Sequence, residues 1–299
     1  MQVKTNHSCI ELVCDGGARY GVGHVRRSLT LTRELIRRGN TVQFYAASEH
    51  GQQLLSNINI SNPSDLTPAL RVLDFPYPIE EWVGYNDSIP TVALDYFGEK
   101  IIDLVISVYE HRIPVPCGRR LSGLEYALIR PEITLIAKHY HVSSGAVLVM
   151  IGGSDINQDG ARVAEKLVQF GVKVQLIRGP GVEKDYQLSS ESISVLHVPD
   201  DIERRMASCA WAVTNGGSSM MEMMCLGKAV HVVPQTEAEL HLAEIVLEKG
   251  AVLGIGLNNL KFPSQREIEQ VGQCAKGIVD GFGVKRVADL IEGCILDEG

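Results

Sequence analysis

The strongest chemical signal in the sequence is a histidine directly after closely spaced glycines, in the segment DGGARYGVGHVRRS at residues 15–28. An apolar run precedes this segment and apolar residues at helical spacing follow it, so His24 is predicted at the start of a helix. The helix dipole disfavours positive charge at that end, which favours a neutral imidazole able to accept a proton. We therefore predict that His24 is a general base, with a capping or structural histidine as the alternative.

Glycines in the same loop let the main chain turn tightly and approach a ligand without an intervening Cβ. In parallel sheets, ligands bind beyond the carboxyl ends of the strands, where this loop is predicted to lie. We therefore predict that Asp15, Gly21, Gly23 and Arg26 contact a substrate. Arg26 also stands where a dinucleotide-binding fingerprint requires its third glycine, which disfavours an NAD site.

Two further glycine loops each join a predicted strand to a predicted helix, at residues 151–160 (IGGSDINQDG) and 214–230 (TNGGSSMMEMMCLGKAV). Their amides, hydroxyls and helix starts together suit a diphosphate, although a plain turn is the alternative for either loop alone. Asp155 fits beside a phosphate only if it caps the following helix and points away. The predicted phosphate contacts are Gly152, Gly153, Ser154, Asn215, Gly216, Gly217, Ser218 and Ser219.

Other predicted strand ends and helix starts supply the remaining candidates. Glu222, one turn into the helix of the 214–230 loop, is predicted to accept both hydroxyls of a ribose, with a solvated carboxylate as the alternative. Asp95 and Tyr96 close the strand TVALDY, and both are candidates for contacts with a sugar. Asp95 is also the second candidate catalytic residue, with a turn cap as the alternative. Gln235 and Glu239 follow the strand AVHVVP and are predicted to reach the substrate.

Short apolar runs alternate with amphipathic stretches along the whole chain, which predicts an α/β fold with mostly parallel strands. Helices are predicted before Gly39, after a capping box formed by Ser264 and Glu267, and over residues 284–295. The predicted strands are 10–14, 42–46, 92–94, 104–106, 147–151, 172–177, 193–197, 211–214 and 230–233.

The chain has 299 residues, enough for two domains that each bury a core. A second series of strands begins with a fresh glycine turn, which predicts a domain boundary in the polar region near residue 140. We predict an N-terminal domain over residues 1–140 that carries the histidine loop, and a C-terminal nucleotide-binding domain over residues 141–299. The last helix is a candidate to pack back on the N-terminal domain.

Charge and cysteine usage exclude several classes of function. The formal net charge of -8 gives the surface no overall positive field, which disfavours nucleic acid as a partner. The seven cysteines form no Cys-x-x-Cys pair, which favours a reducing compartment over a disulfide framework or a zinc site. We find no signal peptide and no membrane span in the sequence, and we expect a cytoplasmic protein.

Four segments in this order, DGGARYGVGHVRR, LEYALIRPE, MIGGSD and NGGSSMMEMMCLGK, resemble the nucleotide-sugar hydrolases of pseudaminic acid biosynthesis and the related spore coat polysaccharide proteins. The similarity extends over nearly the whole chain. The second half is more distantly similar to the N-acetylglucosaminyl transferase that makes lipid II. The resemblance implies two Rossmann-like domains that face each other across a cleft, the GT-B arrangement, with the nucleotide held mainly by the C-terminal domain.

The resemblance also implies an activity. It implies that His24 activates water to hydrolyse a nucleotide-activated deoxy-amino sugar, most readily a UDP-sugar, at the anomeric carbon, without a metal or another cofactor. Such a reaction belongs to the synthesis of surface glycans or nonulosonic acid precursors. The alternatives are a glycosyltransferase that uses the same donor site with a sugar or lipid acceptor, and a non-catalytic nucleotide-sugar-binding protein. One departure is the segment PQTEAEL at residues 234–240, where family members commonly carry Asp-Asn-Gln.

Overall fold

Two units make up the chain: unit 1 comprises Met1–Leu128 and Phe282–Gly299, and unit 2 comprises Ile129–Gly281. The structure is a computed structural model. It describes residues 9–16, 22–56, 66–82, 84, 88–96, 98–109, 115–139, 145–153, 155, 157–179, 181–182, 188 and 190–296.

Strands and helices alternate through both units, as the sequence predicts. The strands are β1 (Cys9–Cys14), β2 (Thr41–Ala46), β3 (Leu70–Asp74), β4 (Thr91–Leu94), β5 (Ile102–Ser107), β6 (Cys117–Ser122), β7 (Val147–Met150), β8 (Val174–Arg178), β9 (Ile193–His197), β10 (Trp211–Thr214), β11 (Val230–Val232) and β12 (Gly254–Ile255). The helices are α1 (Gly23–Arg37), α2 (Glu49–Leu55), α3 (Pro131–His139), α4 (Asp159–Val168), α5 (Ile202–Ser208), α6 (Ser218–Cys225), α7 (Glu237–Glu248), α8 (Gln265–Ile278) and α9 (Gly283–Leu296).

Unit 1 contains a parallel six-stranded sheet in the order β2-β1-β3-β4-β5-β6. The chain leaves β1 toward β2 on one side and later returns to β3 on the other side, so the strand order reverses between β1 and β3. At such a reversal the loops after the two strands separate and leave a crevice in which ligands bind. Asp15 directly follows β1 and Asp74 ends β3, so both lie at this reversal.

The sheet of unit 1 is buried because alternate strand residues point into apolar layers on its two faces. One layer joins strand residues such as Leu12 and Val72 to Leu31 of α1 and Ile291 of α9, all of them fully buried. The opposite layer includes Val105 and aromatic residues from the loops. Helix α9 thus completes the core of unit 1, although it follows unit 2 in the sequence.

Unit 2 contains a second parallel six-stranded sheet, in the order β12-β11-β10-β7-β8-β9. Numbered within the unit, this is the order 6-5-4-1-2-3 of a Rossmann fold, and it reverses between β7 and β10. Gly152 and Gly153 follow β7, and Asn215 follows β10. The two predicted glycine loops therefore lie at the strand-order reversal of unit 2.

Local stop and start signals produce the predicted helix ends. Helix α1 ends before Gly39 and α6 ends before Gly227, and both glycines adopt positive φ angles, 96° and 71°. Ser264 and Glu267 form the predicted capping box at the start of α8. These predictions are confirmed because each depends on residues close in sequence.

Strands β3, β6 and β12 were absent from the predicted set. Arg71 interrupts the apolar run of β3, and its Nε bonds Glu11 of β1 at 2.5 Å, which makes the buried charge tolerable. Strand β6 lies at the sheet edge and carries Arg119 and Arg120, so it lacks an apolar pattern. Strand β12 has only two residues.

The observed division of the chain differs from the predicted boundary at residue 140. Unit 2 begins at Ile129 because α3 packs on α5 and α6, with Ile133 fully buried. The segment after Gly281 belongs to unit 1 because α9 packs on α1. The last helix, which the sequence makes a candidate to pack back on the N-terminal domain, is α9 and lies in unit 1.

Candidate functional site

His24 lies in the first turn of α1, as predicted, and its ring faces the carboxylate at the end of β3. Its Nδ1 atom is 2.7 Å from Oδ1 of Asp74. The side chain of His24 is 24% exposed, whereas that of Asp74 is fully buried. The sequence therefore brings a partly accessible imidazole against a buried carboxylate at the strand-order reversal of unit 1.

Asp74 accepts hydrogen bonds from three side chains of α1. Besides His24, the donors are Ser28 Oγ at 2.7 Å from Oδ2 and Arg27, whose Nε lies 2.9 Å from Oδ2 and whose Nη2 bonds Oδ1. Burial alone raises the pKa of Asp74, but the charges and hydrogen bonds of Arg27 and His24 outweigh it and hold this pKa well below its usual range. Asp74 is therefore an ionised acceptor.

The protonation of the His24 ring follows from this contact. A carboxylate only accepts hydrogen bonds, so Nδ1 carries a proton and donates it to Asp74. Arg27 Nη2 lies 3.1 Å from the same Nδ1, and since both atoms are donors they share Asp74 as their acceptor. Within the described part of the chain, no hydrogen bond engages Nε2. In the neutral ring Nε2 then has a lone pair that can take a proton from a substrate.

Arg27 continues the network to Asp95, which follows β4. Arg27 Nη1 donates to Asp95 Oδ2 at 2.5 Å, and Asp95 Oδ1 accepts from Ser107 Oγ at 2.8 Å and from the Val108 amide at 2.9 Å. Asp95 is buried and adopts a positive φ of 50°. Its carboxylate thus anchors Arg27, and its predicted alternative role as the base does not fit these contacts.

Two other predicted contacts of unit 1 are occupied by internal hydrogen bonds. The carboxylate of Asp15 is buried and accepts from Ser48 Oγ and Tyr77 Oη, each at 2.6 Å. Tyr96 is buried, and its hydroxyl lies 3.0 Å from Glu80 Oε1. Both side chains thus hold loops in place, and their contact with a substrate stays a prediction.

The remaining predicted contacts of unit 1 surround the start of α1. Gly23 is the first residue of this helix and is partly exposed, and Arg26 is exposed in its first turn. Both remain candidates for contacts with a substrate. Gly21 lies outside the described residues.

In unit 2 the glycine turns approach each other closely. The Asn215 amide bonds the carbonyl of Met150 at 3.3 Å, which joins the end of β10 to the end of β7. A Cβ atom at Gly216 would lie 2.4 Å from the carbonyl oxygen of Glu239, so only glycine fits there. Among the predicted phosphate contacts, Ser154 lies outside the described residues.

Glu239 joins two of these strand-end loops. Asn215 Nδ2 donates to Glu239 Oε1 at 2.5 Å, and the Gln235 amide donates to Oε2 at 2.7 Å. Burial raises the pKa of Glu239, although these hydrogen bonds oppose the shift. The Gln235 side chain continues to Asp159 Oδ2 at 3.1 Å. Gln235 and Glu239 therefore order the loops, and their carboxylate and amide atoms are largely engaged with protein partners.

The start of α6 leaves an electropositive end beside these turns. Gly217 is its N-cap, and no side chain of the described residues caps this helix. Ser218 and Ser219 begin the helix and are half-buried. Asp155, by contrast, accepts from the amides of Asp159 and Gly160 at 2.8 and 3.0 Å, so it caps α4 and is turned to that helix, as the sequence required.

Glu222 of α6 is held by an arginine from the LEYALIRPE segment. Arg130 Nε donates to Glu222 Oε1 at 2.6 Å and Nη2 donates to Oε2 at 3.2 Å, while Nη1 donates to Glu203 at 2.6 Å. The side chain of Glu222 is 13% exposed, so the solvated alternative is wrong. An ionised carboxylate has about four acceptor positions, so Glu222 keeps two for a ligand.

Sequence reasoning missed three members of these sites: Asp74, Arg27 and Arg130. A signal for Asp74 was present, because β3 ends in Leu-Asp-Phe as β4 ends in Leu-Asp-Tyr. Arg27 lies in the histidine segment, but its carboxylate partners are 47 and 68 residues away, so no local pattern identifies them. Arg130 lies in a noted segment, but its partners are 73 and 92 residues away, and no local pattern identifies them.

No group of three or more His, Cys, Asp or Glu side chains in the described ranges is arranged to hold a metal ion. No helix among the described residues has the length and apolar character that crossing a membrane requires.

Two curated proteins are similar to the chain in sequence, and no protein-family model matches it. Uncharacterized protein MJ1062 of Methanocaldococcus jannaschii is 23% identical over 292 residues, which cover 80% of the chain and 58% of MJ1062. The chain thus spans little more than half the length of that relative. Spore coat polysaccharide biosynthesis protein SpsG of Bacillus subtilis is 21% identical over 334 residues, which cover 95% of the chain and 97% of SpsG.

Solved structures are similar to the chain in fold. MurG of Acinetobacter baumannii matches with a TM-score of 0.65 at 13% identity, covering 96% of the chain and 99% of MurG. The complex of Staphylococcus aureus MnaA with UDP gives 0.61 at 12% identity and covers 95% and 96% of the two chains. The glycosyltransferase VinC in complex with dTDP gives 0.56 at 12% identity and covers 97% and 100%. With the two parallel sheets, these similarities confirm the predicted fold class of two Rossmann-like α/β domains.

Proposed function

We propose that this protein transfers the glycosyl group of a nucleoside diphosphate sugar to an acceptor hydroxyl, with His24 as the base. The observation that carries the proposal is the 2.7 Å contact of His24 Nδ1 with buried Asp74, which leaves Nε2 as the proton acceptor. Asp74 fixes the ring orientation and tautomer and stabilises the imidazolium that forms during the reaction.

The reaction balances with this one base. The acceptor oxygen attacks the anomeric carbon as its proton passes to His24 Nε2, and the bond from that carbon to the diphosphate oxygen breaks with the electron pair. The nucleoside diphosphate leaves, and attack opposite the leaving group inverts the anomeric configuration. Charge develops on the leaving diphosphate, so donors fixed in advance around it lower the barrier.

Unit 2 has the features expected of the nucleotide site. Its glycine turns lie at the strand-order reversal, and the uncapped start of α6 offers amides and a positive dipole end to phosphates. Glu222 follows one turn later with acceptor positions for a ribose. UDP in the MnaA complex and dTDP in the VinC complex support a pyrimidine nucleoside diphosphate as the ligand.

Transfer and hydrolysis use the same base and differ in the attacking oxygen. The similarity in fold to the glycosyltransferase VinC supports transfer to an acceptor, and the name of SpsG supports a role in polysaccharide synthesis. Hydrolysis, which the sequence resemblance implies, replaces the acceptor by water. The role of a silent binding protein is disfavoured by the His24–Asp74 pair, which a binding function does not require.

Nucleoside diphosphate release tests the proposal. The full chain is incubated with UDP-, dTDP-, GDP- and CDP-sugars, alone and with monosaccharide, disaccharide and polyprenyl-linked sugar acceptors. We expect release that depends on an acceptor and a new glycosidic product. Release at the same rate in buffer alone establishes hydrolysis instead, and no release under any condition contradicts both activities.

Substitutions at two histidines, one in the site and one outside it, link the activity to the site. His24→Asn removes the base, so we expect turnover to fall by roughly 10²–10⁴-fold. UDP and dTDP affinities, measured by calorimetry, should stay within about twofold, because nucleotide binding is assigned to unit 2. The matched control is His50→Asn, at an exposed histidine of α2, which should retain full turnover.

A further inference from the structure

We infer that Arg27, anchored by Asp95, balances the charge of Asp74 and thereby sets the pH range over which His24 serves as a base. The inference rests on the role proposed for His24, and it assigns positioning roles to two residues that the reaction scheme does not use. Neither residue needs to touch the substrate, because each acts through Asp74.

The hydrogen bonds form one continuous network from the sheet to His24. Ser107 and Val108 hold Asp95, Asp95 and Asp74 hold the guanidinium of Arg27 from two sides, and Asp74 holds His24. Arg27 meets Asp74 with two of its nitrogens and Asp95 with a third, a fork that lysine cannot reproduce.

Burial makes the charges in this hydrogen-bond network interact strongly with each other. The side chains of Arg27, Asp74 and Asp95 are 13%, 0% and 5% exposed, so water screens them little. Without Arg27, an uncompensated carboxylate at 2.7 Å would favour the imidazolium, which is useless as a base. With Arg27, two carboxylates share one guanidinium, which reduces the net charge of the cluster from minus two to minus one.

The backbone at Asp95 is consistent with a specific positioning role. Its φ of 50° is uncommon for a residue other than glycine, asparagine or aspartate. This conformation points Oδ1 at Ser107 and the Val108 amide and leaves Oδ2 for Arg27. These hydrogen bonds hold the Asp95 carboxylate and thereby fix the position of the guanidinium.

Other titratable groups near the cluster are accounted for. At the end of β1, the charges of Asp74 and Asp15 act on Cys14, and Tyr109 after β5 acts electrostatically on Arg27. Burial, followed by the charges of Asp74 and Asp15, raises the pKa of the Cys14 thiol far above its ordinary value, so Cys14 stays neutral. Asp15 is engaged by Ser48 and Tyr77. Among the described residues, Asp74 and Arg27 are the charged groups that contact His24, and Asp95 acts on it through Arg27.

Two substitutions that change the charge near the His24 ring in opposite directions provide the test. Arg27→Gln removes a positive charge, so the midpoint of the His24 titration, followed by histidine side-chain NMR, should move up by about one pH unit or more. Asp95→Asn removes a negative charge and should move the midpoint down. The His24→Gln spectrum assigns the resonance among the nine histidines. The control is Arg33→Gln, an exposed arginine two turns along α1, which should shift nothing.

The acidic limb of kcat/KM against pH should move in the same two directions. Arg27→Lys retains the charge, so it should leave the limb nearly in place while kcat falls about tenfold or more through lost geometry. A purely structural role for Arg27 predicts a lower kcat in the folded variants with no shift of the limb, and shifts of equal sign also contradict the inference. If Arg27→Gln does not fold, Asp95→Asn decides the question, because the inference requires a downward shift in that variant and no shift contradicts it. If wild-type protein has no transferase or hydrolase activity, the proposed function fails, whereas the NMR shifts still test the charge balance.

Discussion

Asp74 Oδ1 receives the His24 ring at 2.7 Å and is also bonded by Arg27 Nη2. Asp74→Asn keeps the shape of the side chain but removes the charge that stabilises an imidazolium, and its amide can bind the wrong tautomer. We expect kcat to fall by roughly 10²–10⁴-fold, with KM for the nucleotide sugar changed little. Steady-state kinetics of product release measures both parameters.

Asp74→Asn also leaves Arg27 with one fewer carboxylate in a buried setting. Breaking a buried ion pair costs about 3–5 kcal/mol, so unit 1 should unfold at lower urea. Asp289→Asn is the control, because that carboxylate pairs with Arg38 but is 68% exposed, and surface pairs contribute about 0–1 kcal/mol. Normal activity in a folded Asp74→Asn protein would remove Asp74 from the catalytic site.

Arg130 and Glu222 give a prediction about the ribose. If Glu222 accepts the ribose hydroxyls, Glu222→Ala should weaken UDP binding by roughly 10- to 100-fold, since a hydrogen bond to a charged group is worth about 1.5–3 kcal/mol. The variant should also lose most of the preference for UDP over its 2′-deoxy analogue. Calorimetry with both nucleotides provides the measurement.

Arg130→Gln separates two roles for the guanidinium. A positioning role predicts weaker UDP binding in this variant, because Glu222 loses the fork that fixes its carboxylate. Tighter binding would mean that Arg130 competes with the ribose for Glu222. Arg162→Gln is the control, because among the described residues Arg162 pairs with Asp159 on its own helix and its side chain is 63% exposed.

The fold was predictable because its signals are local. Buried parallel strands appear as short apolar runs, and glycines such as Gly39 and Gly227 end helices wherever they fall. His24 was predictable because its glycine loop is contiguous. Its partner Asp74 was not predictable, because it ends strand β3, whose apolar pattern is interrupted by Arg71. The charge of Arg71 is tolerated inside the sheet because of its tertiary pairing with Glu11. The same limit applies to Arg130, whose two carboxylate partners lie in other helices.

The domain boundary shows a related limit. Polar residues near residue 140 suggested a linker, yet α3 before it belongs to unit 2 and packs on α5 and α6. Helix α9 is apolar on the face that meets α1, but nothing in its own sequence states which core it enters. Both assignments depend on which surfaces meet, and a linear pattern contains no such information.

Gly216 supports a prediction that depends on close packing. An alanine Cβ there would lie 2.4 Å from the carbonyl oxygen of Glu239, which is backbone and cannot move aside alone. We expect Gly216→Ala to destabilise unit 2 by about 1–3 kcal/mol and to weaken nucleotide binding by displacing the turn. Gly277→Ala in α8 is the control in the same unit, because no described atom outside the local backbone of that helix lies within 4 Å of the added methyl group. The control should be neutral or stabilise by up to about 1 kcal/mol, as measured by urea unfolding.

Glu239 provides a prediction about pH. Burial raises its pKa above the ordinary value of 4.5, so the folded state binds the proton more tightly than the unfolded state. The stabilising contribution of the protonated carboxyl is therefore complete below about pH 4.5 and is lost as pH rises through the folded pKa. Glu239→Gln mimics the neutral form at every pH. The stability of the variant relative to wild type should therefore increase from about pH 4.5 up to the pKa of Glu239 in the folded state, and stay constant at higher pH.

Unfolding free energies of the two proteins, measured from pH 4 to 8, check this sign. Because both proteins share all other titrating groups, their difference isolates Glu239. Glu237→Gln is the matched control, since Glu237 is an exposed carboxylate in the same first turn of α7 and should give a flat difference. A flat difference for Glu239→Gln as well would mean that the hydrogen bonds from Asn215 and Gln235 fully offset the burial of the charge, and Glu239 would then hold the two loops together as a permanent anion.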